Sequence, residues 1–168
     1  METFEQKIKT LSDHLFRNGS LQIKLITCDE DLWYAVVECQ LAPGQLSCVN
    51  PAGFSIGRAY LHPEKNVPCI ILHDNIPVGY ICLRKSTDGS NSWSYYLDQR
   101  HQHRGYGSAA ARLAIRLLKA AETHAPIKLS VEKENVKAQD LYRSIGFTLS
   151  QEMDGDDLVF IYSEVSPL

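Results

Sequence analysis

No apolar run in this chain approaches the roughly 20 residues that a helix needs to cross a bilayer, which excludes a helical membrane span. The first residues, Met1-Glu2-Thr3-Phe4-Glu5-Gln6-Lys7, lack the charged-then-apolar layout of a signal peptide. No Cys-x-x-Cys pair occurs: the five cysteines (28, 39, 48, 69, 82) are odd in number and widely spaced. That excludes a disulfide frame or a zinc site and fits reduced thiols in a cytoplasmic protein. Cys69 and Cys82 sit inside apolar runs and read as core residues. The six histidines form no helical i, i+4 pair or other ligand spacing, so no metal is expected. There is no Gly-x-Ser-x-Gly elbow to support a hydrolase. Basic charge is in deficit, with 17 Lys and Arg against 20 Asp and Glu and a net charge of −3. A nucleic-acid surface is therefore not expected, and a partner of opposite sign is. No repeat, linker or low-complexity segment breaks the 168 residues, of which 44% are hydrophobic and 22% charged. This is globular composition of single-domain length.

The chain does have an unusual stretch, Gln102-His103-Arg104-Gly105-Tyr106-Gly107-Ser108, running straight into an amphipathic segment. Two glycines one residue apart let the backbone turn tightly and approach a ligand. A helix opening there directs unpaired N–H groups and partial positive charge at whatever lies against the loop. Phosphate or pyrophosphate binding is the chemistry this suits, although Gly-x-Gly also occurs in ordinary turns.

Around it the pattern is mixed. Phe4, Ile8, Leu11 and Leu15 recur at helical spacing before Asn18-Gly19-Ser20. That stripe requires a cover, either the chain's own domain or a partner subunit in a homodimer. Residues 21–27 alternate as a strand; a helix follows from Asp29-Glu30-Asp31 to about Gln40, and another over Ser55–Leu61. Residues 68–73 and 78–83 flank Asp74-Asn75 as a hairpin, and Trp93–Leu97 is the next strand. The segment Tyr106–Ala121 puts Tyr106, Ala110, Leu113, Ala114, Leu117 and Ala121 on one helical face. A strand over Ile127–Val131, a helix over Asn135–Ser144 closed by Gly146, and a hairpin around Asp154-Gly155 complete the chain. The layout is one mixed α/β domain over residues 21–168 with an N-terminal helical extension, 1–20.

Gly105-x-Gly107-x-x-Ala110 also fits the loose dinucleotide fingerprint, with Glu132 as the acid after the next strand. Two observations oppose that reading. Seven hydrophilic residues, Asp98 to Arg104, separate the preceding strand from the glycines, and too little chain follows for a doubly wound domain.

A second motif decides between them: Asn135-Val136-Lys137-Ala138-Gln139-Asp140-Leu141-Tyr142-Arg143-Ser144-Ile145-Gly146-Phe147. With Gln102-x-x-Gly105-x-Gly107 it closely resembles the GNAT superfamily of N-acetyltransferases over roughly residues 21–163. The resemblance implies a central, mostly antiparallel mixed sheet of six to seven strands flanked by helices and splayed where acetyl-CoA enters. It further implies that backbone at Leu97 and Gln99 pairs with the pantetheine amides. Gln102, His103, Arg104, Gly105, Tyr106, Gly107 and Ser108 would hold the pyrophosphate, with charge from Arg104. Tyr142 would be the acid that protonates the coenzyme A sulfur, and Asn135 a cofactor contact, a helix N-cap, or both. The residues alone also allow Tyr142 to be a core tyrosine, since Ala138, Leu141, Tyr142 and Ile145 share one helical face.

A narrower similarity, to bacterial spermine/spermidine acetyltransferases, rests on Ala42-Pro43-Gly44-Gln45, Val49-Asn50 and Ser55-Ile56-Gly57-Arg58-Ala59-Tyr60. Pro77-Val78-Gly79-Tyr80 and Asp154-Gly155-Asp156-Asp157-Leu158-Val159 carry it further. It implies a small-molecule amine as acceptor, a polyamine first, with an aminoglycoside or peptide amine and a non-catalytic acyl-CoA sensor as alternatives. One position departs: where those enzymes commonly carry an arginine ahead of an Ile-Asp pair, this chain has Ser94 ahead of Tyr95-Tyr96-Leu97-Asp98. No general base stands out; Asp98, His101 and Glu38 are the candidates, and His103 is exposed or near phosphate. Carboxylates for a polycation would come from Asp29-Glu30-Asp31, Glu38 or Asp154/Asp156/Asp157.

Overall fold

Helical and strand periodicity alternate along the chain in the computed structural model, which describes residues 2–15, 17–18, 20–25, 30–45 and 49–163. The elements run α1 (Phe4–Leu15), β1 (Arg17–Asn18), β2 (Leu21–Leu25), α2 (Glu30–Val37), α3 (Ala52–Leu61), β3 (Asn66–His73) and β4 (Ile76–Lys85). They continue with β5 (Asn91–Leu97), a 3-10 turn (Gln99–His101), α4 (Tyr106–Ala121), β6 (Lys128–Val131), α5 (Val136–Ser144), β7 (Phe147–Asp154) and β8 (Asp157–Tyr162). Asp29, Thr27 and Gly19, used above as helix and strand signals, lie outside the described residues, as do Cys28 and Cys48.

Two helix boundaries differ from the expected ones. α3 begins at Ala52, behind Pro51 at its N-cap; the expected start near Ser55 misses this first turn because Gly53 and Gly57 blur the apolar repeat. α2 stops at Val37, where the Cys39 N–H turns to the Val36 carbonyl at 3.2 Å and tightens the end.

β1 to β5 form one antiparallel sheet in chain order, and β6-β8-β7 form a second. Among the described residues the two meet at a single parallel bridge, Asn91 to Ile127. Beyond it β5 and β6 part, which is the expected splay. β3 is buried along almost its whole length because helices cover both faces. Val67, Cys69 and Ile71 enter a core beneath α1 and α4. Ile70 and Leu72 enter a second core with Val36 of α2 and Ala52 of α3. The N-terminal stripe is covered by the chain itself: Phe4 and Ile8 are buried in the first core and Leu11 packs against it. The Leu15 side chain lies outside the described residues. The β3–β4 turn has positive φ at Asp74 (49°) and Asn75 (63°), as a type I′ hairpin requires.

One irregularity shapes the splay. β4 pairs Gly79 with Ile71 but Pro77 with Leu72, so Val78 is an extra residue in a bulge. Val78, Ile81 and Leu83 thus face one core while Tyr80 and Cys82 face the other. On its other edge Gly79 pairs with Leu97. A Cβ on Gly79 would collide with the Tyr96 carbonyl oxygen, so only glycine admits β5 this close. A bulge bends a strand and raises its local twist, and β5 is paired to β4 from Gly79 to Lys85.

Candidate active site

The parting of β5 and β6 opens a cleft of about 1640 Å³. One end is built from backbone. Past Leu97 the chain turns at Asp98, which is fully buried. Its carboxylate accepts from the Gln40 amide (2.9 Å), the Arg100 amide (2.9 Å) and the Arg100 guanidinium (Nε and Nη2, each at 2.8 Å). These hydrogen bonds, the Arg100 side chain first, hold its pKa well below the usual carboxylate range against the opposing effect of burial. Asp98 is thereby a structural clamp, and its candidacy as general base falls: its acceptor sites are occupied and it is a poor proton acceptor. Neither His101 nor Glu38 lines the cleft.

The loop that follows is pinned by Gln102, whose Nε2 donates to the Gln45 side chain (2.9 Å) and to the Leu97 carbonyl (3.0 Å). His103 and Gly105 then take left-handed backbone, φ 60° and 80°. For His103 that is uncommon; for Gly105 it is unstrained, and a Cβ there would meet nothing within 4 Å. Gly105 is the N-cap of α4 and no side chain caps that helix. Its ladder begins with the Ala109 N–H on the Gly105 carbonyl at 3.1 Å, so the amides of Tyr106, Gly107 and Ser108 have no intrahelical acceptor. Open space at Gly105 and amides without an intrahelical acceptor at a positive helix end fit a pyrophosphate.

The structure brings Leu97, Gln102, His103, Gly105, Gly107, Ser108, Asn135 and Tyr142 onto this cleft. It leaves Gln99, Arg104 and Tyr106 off the lining. The Gln99 amide is spent on the Gln40 carbonyl (2.8 Å), so it is not free to pair with a pantetheine group. Arg104 is exposed, and Tyr106 stacks on His73 with ring centroids 4.5 Å apart. Asn135 is the N-cap of α5, accepting from the Ala138 amide at 3.2 Å. Tyr142 is both a core and a cleft residue: only 8% exposed, it packs on Trp93 and Phe147 yet lines the cleft. Burial pushes its pKa up, and the Trp93 side chain pulls the other way.

The other end is built from side chains of separate strands and turns. Asp88, Glu132, Glu134, Glu152, Asp154 and Asp157 line it, with Arg84 and Lys128. Lys128 is held by Glu152 (2.8 Å) and Asp88 (3.5 Å), and Ser130 donates to Asp154 at 2.7 Å. The Asp157 pKa is raised, by burial first and then by Glu132, Asp154, Asp156 and Glu134. Of the acids expected to meet a polycation, Asp154 and Asp157 are here; Asp156, Glu30, Asp31 and Glu38 are not. Asp88, Glu134 and Glu152 escaped the sequence reading because turn and surface acids look alike until strands pair. Among the described residues no group of three or more His, Cys, Asp or Glu is placed to hold a metal, and no helix is long and apolar enough to cross a membrane.

A splayed sheet, a glycine-turned helix start and an asparagine-capped α5 carrying a cleft tyrosine define an acyltransferase of the N-acetyltransferase type. Consistent with this, the Acetyltransferase (GNAT) family model matches residues 33–147. The chain belongs to that family. None of the curated proteins matches the sequence. Among solved structures it is similar to an acetyltransferase from Agrobacterium tumefaciens (TM-score 0.69, 18% identity, 89% of this chain and 94% of that one). It is similar also to a putative ribosomal-protein-serine acetyltransferase from Vibrio cholerae (0.69, 19%, 89% and 97%). AAC(6')-Ib, in complex with parmomycin and acetyl-CoA, aligns at 0.66 with 16% identity over 87% and 94%. At these identities the likeness concerns the fold.

Proposed function

We propose that this enzyme transfers an acetyl group from acetyl-CoA to a primary amine of a small polycation, with a polyamine such as spermidine or spermine as the first candidate. The observation that carries the acceptor is the acid-rich end, where Asp157 shares the cleft wall with Asp88, Glu132, Glu134, Glu152 and Asp154. Such a site favours a ligand with several positive charges.

The unpaired amides of Gly107 and Ser108 bind the pyrophosphate of acetyl-CoA, and Leu97 and Asn135 contact the adjoining arm. An alkyl ammonium has a pKa near that of lysine, about 10.4, so it must lose a proton before its lone pair can attack. That proton leaves into the open, polar end of the cleft. As the amine nitrogen bonds to the thioester carbon, the C–S bond breaks and Tyr142 gives its hydroxyl proton to the departing sulfur. The supporting feature is a phenol hydroxyl on the cleft wall, protonated at neutral pH as any ordinary tyrosine is.

The test is thiol release with acetyl-CoA against spermidine, spermine, aminoglycosides and a peptide amine. The polyamines should give the highest specificity constant, and it should fall with added salt. A tenfold or greater preference for an aminoglycoside or peptide, about 1.4 kcal/mol in transition-state binding, overturns the acceptor. Release with none of these amines overturns the enzymatic reading in favour of an acyl-CoA sensor.

A further inference from the structure

Tyr142 has an orphaned neighbour. Trp93, in the middle of β5, is 3% exposed, and its indole N–H is buried without a hydrogen-bond partner. A buried donor left unpaired costs free energy, and such groups gather where a function needs them. Trp93 lines the same cleft as Tyr142, and the two rings meet edge to face, centroids 6.3 Å apart and planes at 70°. Phe147 packs against both, 5.8 Å from Trp93 and 5.6 Å from Tyr142, and fixes their relation.

We propose that Trp93 is a positioning residue for Tyr142: its indole N–H engages the phenol oxygen, turns the hydroxyl proton toward the sulfur, and stabilises the phenolate left when that proton departs. This rests on Tyr142 acting as the acid. When Tyr142 donates, its O–H bond breaks, the S–H bond of coenzyme A forms, and the electron pair stays on the phenol oxygen. The proton shed by the amine later restores the hydroxyl. A phenolate in this apolar setting is costly unless a donor meets it. Trp93 is also the group that draws the Tyr142 pKa down against burial. The unliganded N–H makes no formed hydrogen bond, and catalytic hydrogen bonds of this kind tighten only in the reacting complex.

The experiment is a double-mutant cycle of Trp93→Phe and Tyr142→Phe in the full chain, read as kcat, as KM for acetyl-CoA, and as acetyl-CoA affinity by calorimetry. With Tyr142 present, Trp93→Phe should lower kcat about ten- to a hundredfold, the worth of one hydrogen bond to a charged oxygen, with KM unchanged. In the Tyr142→Phe background, the same change should alter kcat less than about twofold. An equal loss in both backgrounds, or no loss in either, overturns the role of Trp93 and leaves the acid intact. Wild-type kcat in Tyr142→Phe overturns the acid itself. Should Trp93→Phe fail to bind acetyl-CoA, the benzothienyl isostere of tryptophan at 93 keeps the ring shape and removes only the N–H. Wild-type kcat in that isostere also overturns the proposal.

Discussion

The two ends of the cleft are made in opposite ways. The end at Gln102–Ser108 is one continuous stretch whose working groups are backbone amides, exposed by positive φ at His103 and Gly105 and by an uncapped helix start. The acid-rich end takes Asp88 from the β4–β5 turn, Glu132 and Glu134 from beyond β6, and Glu152, Asp154 and Asp157 from β7 and β8. A backbone cradle tolerates little change in local conformation. A side-chain cluster tolerates change at each position but depends on strand pairing to exist. One acid at each end makes the contrast measurable: Asp98 is held below the ordinary carboxylate range, and Asp157 is raised above its ordinary value.

The largest expected effect lies between the two ends. Tyr142→Phe should lower kcat about 10²–10⁴-fold, the usual loss of a general acid, with acetyl-CoA affinity within about twofold of wild type. Wild-type turnover would make Tyr142 a packing residue only.

Next comes the backbone side. Gly79→Val should destabilise at the upper end of the ~1–3 kcal/mol of overpacking, because its Cβ meets the Tyr96 carbonyl and not a movable side chain. Acetyl-CoA affinity should fall with it, since β5 must move toward β6. Thermal unfolding and calorimetry check this; a stable variant with unchanged affinity breaks the link between the bulge and the splay.

Asp98→Asn should cost about 1.5 kcal/mol at neutral pH, at the low end for a hydrogen bond to a charged group because asparagine keeps one acceptor. The sign of the pH effect follows from the depressed pKa. The Asp98 contribution is full above the unfolded carboxyl value near 3.8 and is lost as pH falls through the lower folded value. The difference in Tm between wild type and Asp98→Asn should therefore shrink between about pH 5 and pH 2. A constant difference would show that shape, not charge, is what Asp98 supplies.

The smallest effect has the opposite sign. With its folded pKa raised, Asp157 favours the fold below the unfolded value near 3.8, and that advantage is lost as pH rises through the folded value. Asp157→Asn should raise stability at neutral pH by a few tenths of a kcal/mol, as a partly exposed site allows. It should also weaken the KM for a polyamine while leaving acetyl-CoA affinity alone. A fall in Tm on this substitution, or equal weakening of both ligands, would remove the acid end from acceptor binding.

Which end could be read in advance follows the same division. The loop, the α4 face from Tyr106 to Ala121, the Asn135 cap and the Asp74-Asn75 turn are local. Each depends on residues a few positions apart, and glycine, asparagine and helical spacing announce them. The start of α3 was hidden because Gly53 and Gly57 interrupt its apolar repeat. Gln99 looked free to pair with a ligand because nothing nearby in the chain reveals that Gln40 takes its amide.

By itself, then, the sequence determined a mixed α/β chain, a glycine-turned loop at a helix start and a tyrosine on a capped helix, and its two motifs carried the resemblance to the family. The local features are set by short-range backbone preference and periodicity. Only the tertiary structure decided that Asp98 is a clamp and not a base, and that the α1 stripe is covered by α4 and β2. It alone set Trp93 beside Tyr142 and gathered acids from separate strands and turns at one mouth. Those outcomes join residues tens of positions apart, through strand pairing and desolvation, and none is written in any one segment.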